Sequence, residues 1–542
     1  MNHRYHYSMS RRFVWAIACL LISAITCQGR TPGPADASPP TVNLQTGTLE
    51  GIRFGPAQNE AAFLGVPYAA PPVGNLRWRP PQPVRKWDGT RKAAQFGAVC
   101  PQLPANWLPY IAWNEDCLYL NVWTTRLTTS ARLPVIVYFH GGSNTSGYSQ
   151  ITPLGPALSR MGVVVVSANY RLGPMGFLAL PALSAESEHH SSGNYGLLDQ
   201  IQALRWVREN ISRLGGDPGR ITVMGQSSGA VDICLLMTSP LAAGLFQGAI
   251  LESGDCQGTF NEDIHTPIPY NGISDTGEAV GQRLADDLGV GNDSDTLHKL
   301  RNIPPDEILK AWTHDPEVHF DAIVDGWVVP DQPAKTFAER REMHIPVLIG
   351  SNADEATVFG GGGPKTVADY RKYLVGDTGN RADQEFAAYP AESDAGVPAR
   401  YLQLQNESFA YGAYSMARAV THAGQRAYLY CFTYVETGKR APLGAYHGEE
   451  LQFLSDSFRS DWQYNQDDKA LGQAMRMYWT QFARTGDPNS RGFPRWPTYA
   501  VRTAQCLELG RTIGVRPIEP RIQVLDHIMD QIFTERGTKQ GD

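Results

Sequence analysis

Several things are scarce in this 542-residue chain, and each shortage excludes a class of function. There is no long block of lysine or arginine. The 47 basic residues are outnumbered by 54 acidic ones, and the net charge of -7 is spread along the sequence. That balance argues against nucleic acid as a partner. Long apolar runs are almost missing too. The one clear run, Phe13 to Ile25, is too short to span a membrane. Cysteine is sparse, with eight residues, and no spacing among them suggests a metal site. No internal repeat is present, which removes solenoids and propellers. What remains has ordinary globular composition: 42% hydrophobic and 19% charged.

The N-terminus reads as an address rather than as part of a fold. Arg4, Arg11 and Arg12 precede the Phe13–Ile25 run, so residues 1–27 have the form of a signal peptide. Residues 28–40, rich in proline and glycine, read as a linker, residues 41–535 as the folded domain, and 536–542 as a polar tail. The expected location is outside the cytoplasm, secreted or periplasmic. Lipid attachment at Cys27 is the less favoured alternative, since Thr26 fits that signal poorly. Export permits disulfides. Cys100 and Cys117 are close in sequence and bracket a loop containing proline and tryptophan, so they are the expected pair. A closed loop of that size stabilises a fold by about 3 kcal/mol. Cys234, Cys256, Cys431 and Cys506 cannot be paired from sequence, and are read as small buried apolar side chains.

Along the domain, strand-like and helix-like segments alternate. Leu133–Phe139 and Gly162–Ser167 are continuous apolar runs of the kind buried on both faces of a parallel sheet. Tyr195 to Leu214 carries Leu197, Leu198, Ile201, Leu204, Val207 and Ile211 at helical spacing, and Gly215-Gly216-Asp217-Pro218 stops it. Gln247–Leu251 and Ile345–Gly350 read as further strands. The alternation predicts a doubly wound α/β sheet. The stretch from about 261 to 340 lacks strand alternation and reads as an insertion over one end of that sheet.

The most informative segment is Gly225-Gln226-Ser227-Ser228-Gly229, between a strand-like run (Ile221–Met224) and a helix-like one (Ala230–Met237). Strand, sharp turn and helix form the context of a nucleophile elbow. The turn lifts the Ser227 hydroxyl from the sheet, and the helix N-terminus points its N–H groups at whatever that hydroxyl attacks. A serine hydroxyl is a weak nucleophile until a base takes its proton. The motif therefore demands a histidine, an acid and an oxyanion hole elsewhere.

Other motifs identify where to look. Phe63-Leu64-Gly65-Val66-Pro67-Tyr68-Ala69, with Pro71-Pro72 and Leu76-Arg77-Trp78, resembles the N-terminal signature of the type-B carboxylesterases, the family that includes the cholinesterases. Glu115-Asp116-Cys117-Leu118-Tyr119-Leu120-Asn121-Val122 and Gly193-Asn194-Tyr195-Gly196-Leu197-Leu198-Asp199-Gln200 are similar to two further family motifs. Matching motifs run from about Val42 to about Trp496. The resemblance implies the α/β-hydrolase fold: a large, mostly parallel central sheet flanked by helices, with insertions covering the active-site end. It implies ester hydrolysis through a Ser/Glu/His triad, with no cofactor and no metal. Residue by residue, Ser227 falls on the nucleophile. Asn352-Ala353-Asp354-Glu355 resembles the segment of the acid, making Glu355 the acid rather than Asp354. Gly444-Ala445-Tyr446-His447-Gly448 resembles the segment of the base, His447. His140-Gly141-Gly142-Ser143 resembles the oxyanion loop, so the N–H groups of Gly142, Ser143 and Ser228 are the expected oxyanion donors.

Departures from the family pattern carry information. Ser143 stands where a third glycine is usual, and its Cβ restricts φ. The elbow usually reads Gly-Glu-Ser-Ala-Gly, whereas this chain has Gln226 and Ser228. Gln226 removes a negative charge beside the nucleophile and so weakens attraction for a cationic alcohol. Glu450 keeps a second acid near His447, and Ser253 is placed to orient the triad acid. Trp107, in the Cys100–Cys117 loop, is read as a gorge-wall or packing residue. Phe260, Val318 and Phe359 line the acyl pocket or pack the core; the sequence leaves both open. Four glycosylation sequons occur, at Asn144, Asn210, Asn292 and Asn406, and a sugar on Asn144 would block the oxyanion loop. The expected partner is a small-molecule ester. The sequence leaves two alternatives: a specialised hydrolase of a bulky natural-product ester, amide or thioester, and a non-catalytic binding relative.

Overall fold

The computed structural model describes residues 38–535, apart from 57, 257–260, 268–274, 316–317, 361 and 461. The expected signal peptide, Cys27, nearly all of the linker, Phe260 and the C-terminal tail lie outside the described residues.

The fold is organised around an eleven-stranded sheet. Its strands, in chain order, are β1 (Ile52–Phe54), β2 (Glu60–Pro67), β3 (Tyr119–Thr124), β4 (Leu133–Phe139), β5 (Val164–Ala168), β6 (Gly216–Gln226), β7 (Gly248–Glu252), β8 (Val347–Asn352), β9 (Ala427–Phe432), β10 (Gln505–Leu509) and β11 (Ile513–Pro517). Across the sheet the order is β11-β10-β9-β8-β7-β6-β4-β5-β3-β2-β1. From β10 to β5 every neighbouring pair is parallel, and antiparallel pairs close both edges. A separate three-stranded sheet joins Thr41–Asn43, Thr48–Glu50 and Thr90–Lys92.

The unbroken apolar runs follow from burial on both faces. In β4, Val135, Val137 and Phe139 enter one core, while Ile136 and Tyr138 enter the core on the opposite face. The same alternation recurs in β5, β6 and β8. Helix α1 (Tyr195–Asn210) buries the apolar stripe expected of it, and its last predicted turn is a 3₁₀ segment, Ile211–Leu214. Gly215, with φ of 89°, stops it as predicted. Helix α2 (Ser228–Thr238) follows the elbow. Further helices flank the sheet, among them α3 (Val397–His422), α4 (Glu450–Ser455) and α5 (Gln466–Thr485). The described residues of the 261–340 stretch form the helices Gly277–Asp287, Thr296–Asn302, Pro305–Trp312 and Pro333–Ala338 joined by loops, with one isolated bridge between Asp263 and Val324.

The cysteines require a correction. Cys100–Cys117 is bridged as expected, but so are Cys234–Cys256 and Cys431–Cys506. The reading of those four as unpaired buried thiols does not hold. Their partners become visible only with the sheet order. Cys431 lies on β9 and Cys506 on β10, which are parallel neighbours although 75 residues apart in sequence. Cys234 lies on α2, and Cys256 lies just beyond β7, the strand next to β6.

Candidate active site

The expected residues gather at the carboxyl ends of the parallel strands, where open α/β sheets place their ligands. The oxyanion loop leaves β4, Ser227 leaves β6, Glu355 follows β8, and His447 lies in the loop after β9.

At the elbow, Ser227 itself takes the strained conformation, with φ of 57° and ψ of -131°. The flanking glycines leave no room for a side chain. A Cβ on Gly225 would lie 2.4 Å from the Gly229 carbonyl oxygen, and one on Gly229 would lie 2.3 Å from that of Phe139. Both glycines are required by close approach, since strand, turn and helix are pressed together. Gly141 is equally confined: its Cβ would lie 2.8 Å from the Cβ of Ser227. The loop expected to hold the oxyanion therefore abuts Ser227.

Glu355 and His447 meet directly. His447 Nδ1 lies 2.5 Å from Glu355 Oε2, while Glu355 Oε1 accepts from the backbone N–H of Asn352 at 2.7 Å. Glu355 is fully buried, so both its oxygens are held. Burial opposes a charge on His447, but the Glu355 carboxylate, its hydrogen bond and Glu450 outweigh that cost. The net effect raises the histidine pKa above its usual 6.5.

The two loops are joined by hydrogen bonds that no local pattern marks. Asp354 N–H donates to the Ala445 carbonyl at 3.0 Å, and Ala445 N–H donates back to Asp354 Oδ2 at 2.9 Å. Thr357 Oγ1 donates to the Leu443 carbonyl at 2.7 Å. Asn352 Nδ2 donates to the Tyr446 carbonyl and to Glu450 Oε2. Asp354 thus fastens the acid loop to the histidine loop and does not touch the imidazole. Glu450, fully buried, is pushed up to about 7, first by burial and then by the Glu355 charge. It reaches the site through Asn352.

Three consecutive residues of the oxyanion loop have positive φ: Gly142 at 123°, Ser143 at 55° and Asn144 at 54°. That conformation is easy for glycine, tolerable for asparagine and strained for serine. Among the described residues, the N–H groups of Gly142, Ser143 and Ser228 have no backbone partner, so they are free to bind an oxygen. The loop is pinned beyond them. Asn144 N–H donates to Ser228 Oγ at 3.2 Å, and its Nδ2 reaches Asp232 at 2.8 Å and Asp321 at 2.7 Å. Ser228, which replaces the usual alanine, therefore supplies a tie between elbow and loop. Burial pushes Asp232 up to about 8, while the amides of Asn144 and Gln200 that donate to its two oxygens pull the other way. Asn144 is wholly buried, which rules out the sequon there as a glycan site in the folded chain.

Gln226 also has a partner. Its Nε2 lies 3.0 Å from His447 Nε2, the nitrogen turned away from Glu355. Ser227 Oγ has no hydrogen bond among the described residues.

Other expectations fare unevenly. Phe359 is 60% exposed, with its ring centroid 5.1 Å from that of His447, so it faces the site and not the core. Phe409 on α3 flanks the imidazole at 5.3 Å and was missed, because nothing in its helix periodicity marks it. Val318 packs in the main core. Trp107 is 57% exposed, so it is not packed in the core. Among the described residues Ser253 Oγ has no hydrogen-bond partner, so it does not bond to Glu355; the backbone N–H of Asn352 does. A cavity of about 300 Å³ between Trp78, Tyr195, Asp325 and Trp327 touches none of the triad candidates. Among the described residues no helix is long and apolar enough to cross a membrane, and no cluster of side chains could hold a metal.

Comparison with known proteins agrees with this geometry. The model of the carboxylesterase family matches residues 38–521. The chain is 36% identical over 486 residues to the fumonisin B1 esterase of Sphingopyxis macrogoltabida, covering 87% of this chain and 86% of that protein. It is 30% identical to human carboxylesterase 5A, over 94% and 91% of the two chains. Among solved structures, a Geobacillus stearothermophilus carboxylesterase superposes with a TM-score of 0.76 at 30% identity, covering 90% of this chain and 99% of that one. A PNB esterase gives 0.76 at 29% identity. This chain belongs to the carboxylesterase family and is a carboxylic ester hydrolase of the α/β-hydrolase fold.

Proposed function

We propose that this hydrolase is an exported serine carboxylesterase in which Ser227, His447 and Glu355 act through an acyl-enzyme. The observation that carries the reading is the bracketing of His447. Its Nδ1–H donates to the buried Glu355, which leaves Nε2 as a base beside the strained elbow. Ser227 Oγ attacks the ester carbonyl while His447 Nε2 takes its proton. The carbonyl oxygen, now negative, is held by the N–H groups of Gly142, Ser143 and Ser228. Removal of one such donor costs about 3–4 kcal/mol. The alcohol leaves with the proton that His447 returns, and water releases the acid by the reverse path.

Export is supported by the three disulfides, which fit an oxidising compartment, and by the signal-like residues 1–27. On the substrate side, Gln226 leaves no carboxylate next to the nucleophile, which disfavours a cationic alcohol. The second reading, a specialised hydrolase of a bulky natural-product ester, is favoured by the 36% identity to a fumonisin B1 esterase. Turnover of p-nitrophenyl esters of increasing acyl length, with Ser227→Ala as control, tests both. Activity that peaks at short or medium chains and disappears in the control supports a general esterase. A folded protein that ignores every simple ester but hydrolyses fumonisin B1 favours the second reading. Full activity in Ser227→Ala would overturn the nucleophile.

A further inference from the structure

The elbow's first departure from the family pattern sits on the catalytic base. Gln226 ends β6 and is buried, and its amide is held between the oxyanion loop and His447. On one side Gln226 Oε1 lies where a Cβ on Gly141 would come within 3.1 Å of it. On the other, Nε2 is 3.0 Å from His447 Nε2. The tautomer follows from the opposite side of the ring. Glu355 can only accept, so the imidazole Nδ1 carries the hydrogen and Nε2 presents a lone pair. An amide N–H pointing at a lone pair is a hydrogen bond. The same N–H pointing at a protonated Nε2 faces another donor.

We propose that Gln226 is a positioning residue that caps the His447 lone pair in the free enzyme and favours the neutral imidazole. This rests on the triad reading above. The consequence is a competition at one atom. The lone pair occupied by Gln226 is the one that must receive the Ser227 proton, and Ser227 Oγ has no hydrogen bond among the described residues. For the reaction to start, the amide must let go. Once Nε2 is protonated, the amide must stay away or rotate its oxygen inward to accept. The family's usual glutamate could not play this part. A carboxylate has no N–H to offer a neutral imidazole, and it would favour the charged ring.

The charged groups that face the imidazole are Glu355 on Nδ1 and Glu450, which acts through space. Its ring neighbours Phe359 and Phe409 are uncharged. Both acids raise the histidine pKa, and the cap works against them. Its removal therefore moves the protonation of His447 to higher pH. A neutral hydrogen bond of ordinary strength corresponds to a shift of about half to one pH unit.

The test is the pH profile of kcat/KM on a neutral p-nitrophenyl ester, whose acid limb reports His447 protonation in the free enzyme. Wild type, Gln226→Leu and Gln226→Glu are compared, with Gln226→Met as a second uncharged variant should the leucine not fold. The expected order of the acid limb is wild type lowest, then Leu or Met higher by about half to one unit, then Glu highest. An unchanged limb in both Leu and Met would show that the side chain merely packs. A limb that moves down in those variants would show that the amide oxygen faces the imidazolium. Either result overturns the proposal. Ser227→Ala separates this from the parent reading: if it abolishes activity while the limb of Gln226→Leu stays put, the triad stands and only the cap falls.

Discussion

Two acids sit side by side at the end of β8, and the structure gives them different work. Asp354 is half-buried and spends Oδ2 on the Ala445 N–H, whereas Glu355 is buried and spends Oε2 on His447. Replacement of Asp354 by alanine removes one charge-assisted hydrogen bond and orphans a buried N–H. After allowance for partial exposure this costs about 2 kcal/mol of stability. The opposite bond, from Asp354 N–H to the Ala445 carbonyl, and the Thr357 bond to Leu443 both survive, so the loops slacken without parting. Slack of about an ångström in the His447 loop lowers kcat by up to about a hundredfold. Asp354→Asn keeps an acceptor oxygen in place and recovers most of both losses. Glu355→Gln behaves differently. The protein stays folded, but kcat drops by about ten-thousandfold, as expected when the group that fixes the tautomer is lost. The assay is kcat on one activated ester beside thermal unfolding of the same samples. The reasoning fails if Asp354→Asn loses as much kcat as Glu355→Gln with its stability intact. Asp354 would then be the acid.

Other expectations follow from the same contacts. The raised pKa of His447 places the acid limb of kcat/KM above 6.5, with activity lost as pH falls and the base is protonated; a limb at pH 5 would contradict the packing of Glu355 and Glu450 around it. Glu449 is buried and pushed up to about 9, first by burial and then by Glu436 and Glu450. The folded chain then keeps a proton that the unfolded chain releases above about pH 4.3, so this group reduces stability as pH rises from there to about 9, by at most about 1.4 kcal/mol per pH unit. Glu449→Gln should therefore stabilise the protein at pH 8 and much less at pH 5, and denaturant titrations giving the same gain at both would refute it. Among the disulfides, Cys431–Cys506 closes the longest loop, so Cys431→Ser with Cys506→Ser should cost more than the Cys100–Cys117 double variant, about 4 against about 3 kcal/mol. Equal midpoints for both would count against the loop-length argument.

The parts of the site carried by local pattern were legible in the sequence. The β4 and β5 runs announced buried parallel strands because both faces of each strand meet apolar neighbours, and the elbow announced itself by spacing. The parts that depend on pairing across the sheet were not. Nothing near Cys431 points to Cys506, since strand order alone makes them neighbours. The Asp354–Ala445 tie and the contact between Gln226 and His447 join segments 91 and 221 residues apart. Trp107 is more exposed than a packing role allows, because its burial depends on the course of the loop and not on local pattern. Ser253 does not bond to Glu355 among the described residues, and the backbone N–H of Asn352 fills that place. Ser228 and Gln226 looked like simple departures from a motif, and each proves to hold a partner.

The most direct test of the central claim is stoichiometric labelling with a neutral serine-reactive phosphonate, followed by peptide mass mapping. The account predicts one label per chain, on Ser227, formed quickly in wild type and slowly in His447→Ala, with loss of esterase activity in step with labelling. Label on Ser228 or elsewhere, or a fully labelled protein that still turns over ester, would contradict it.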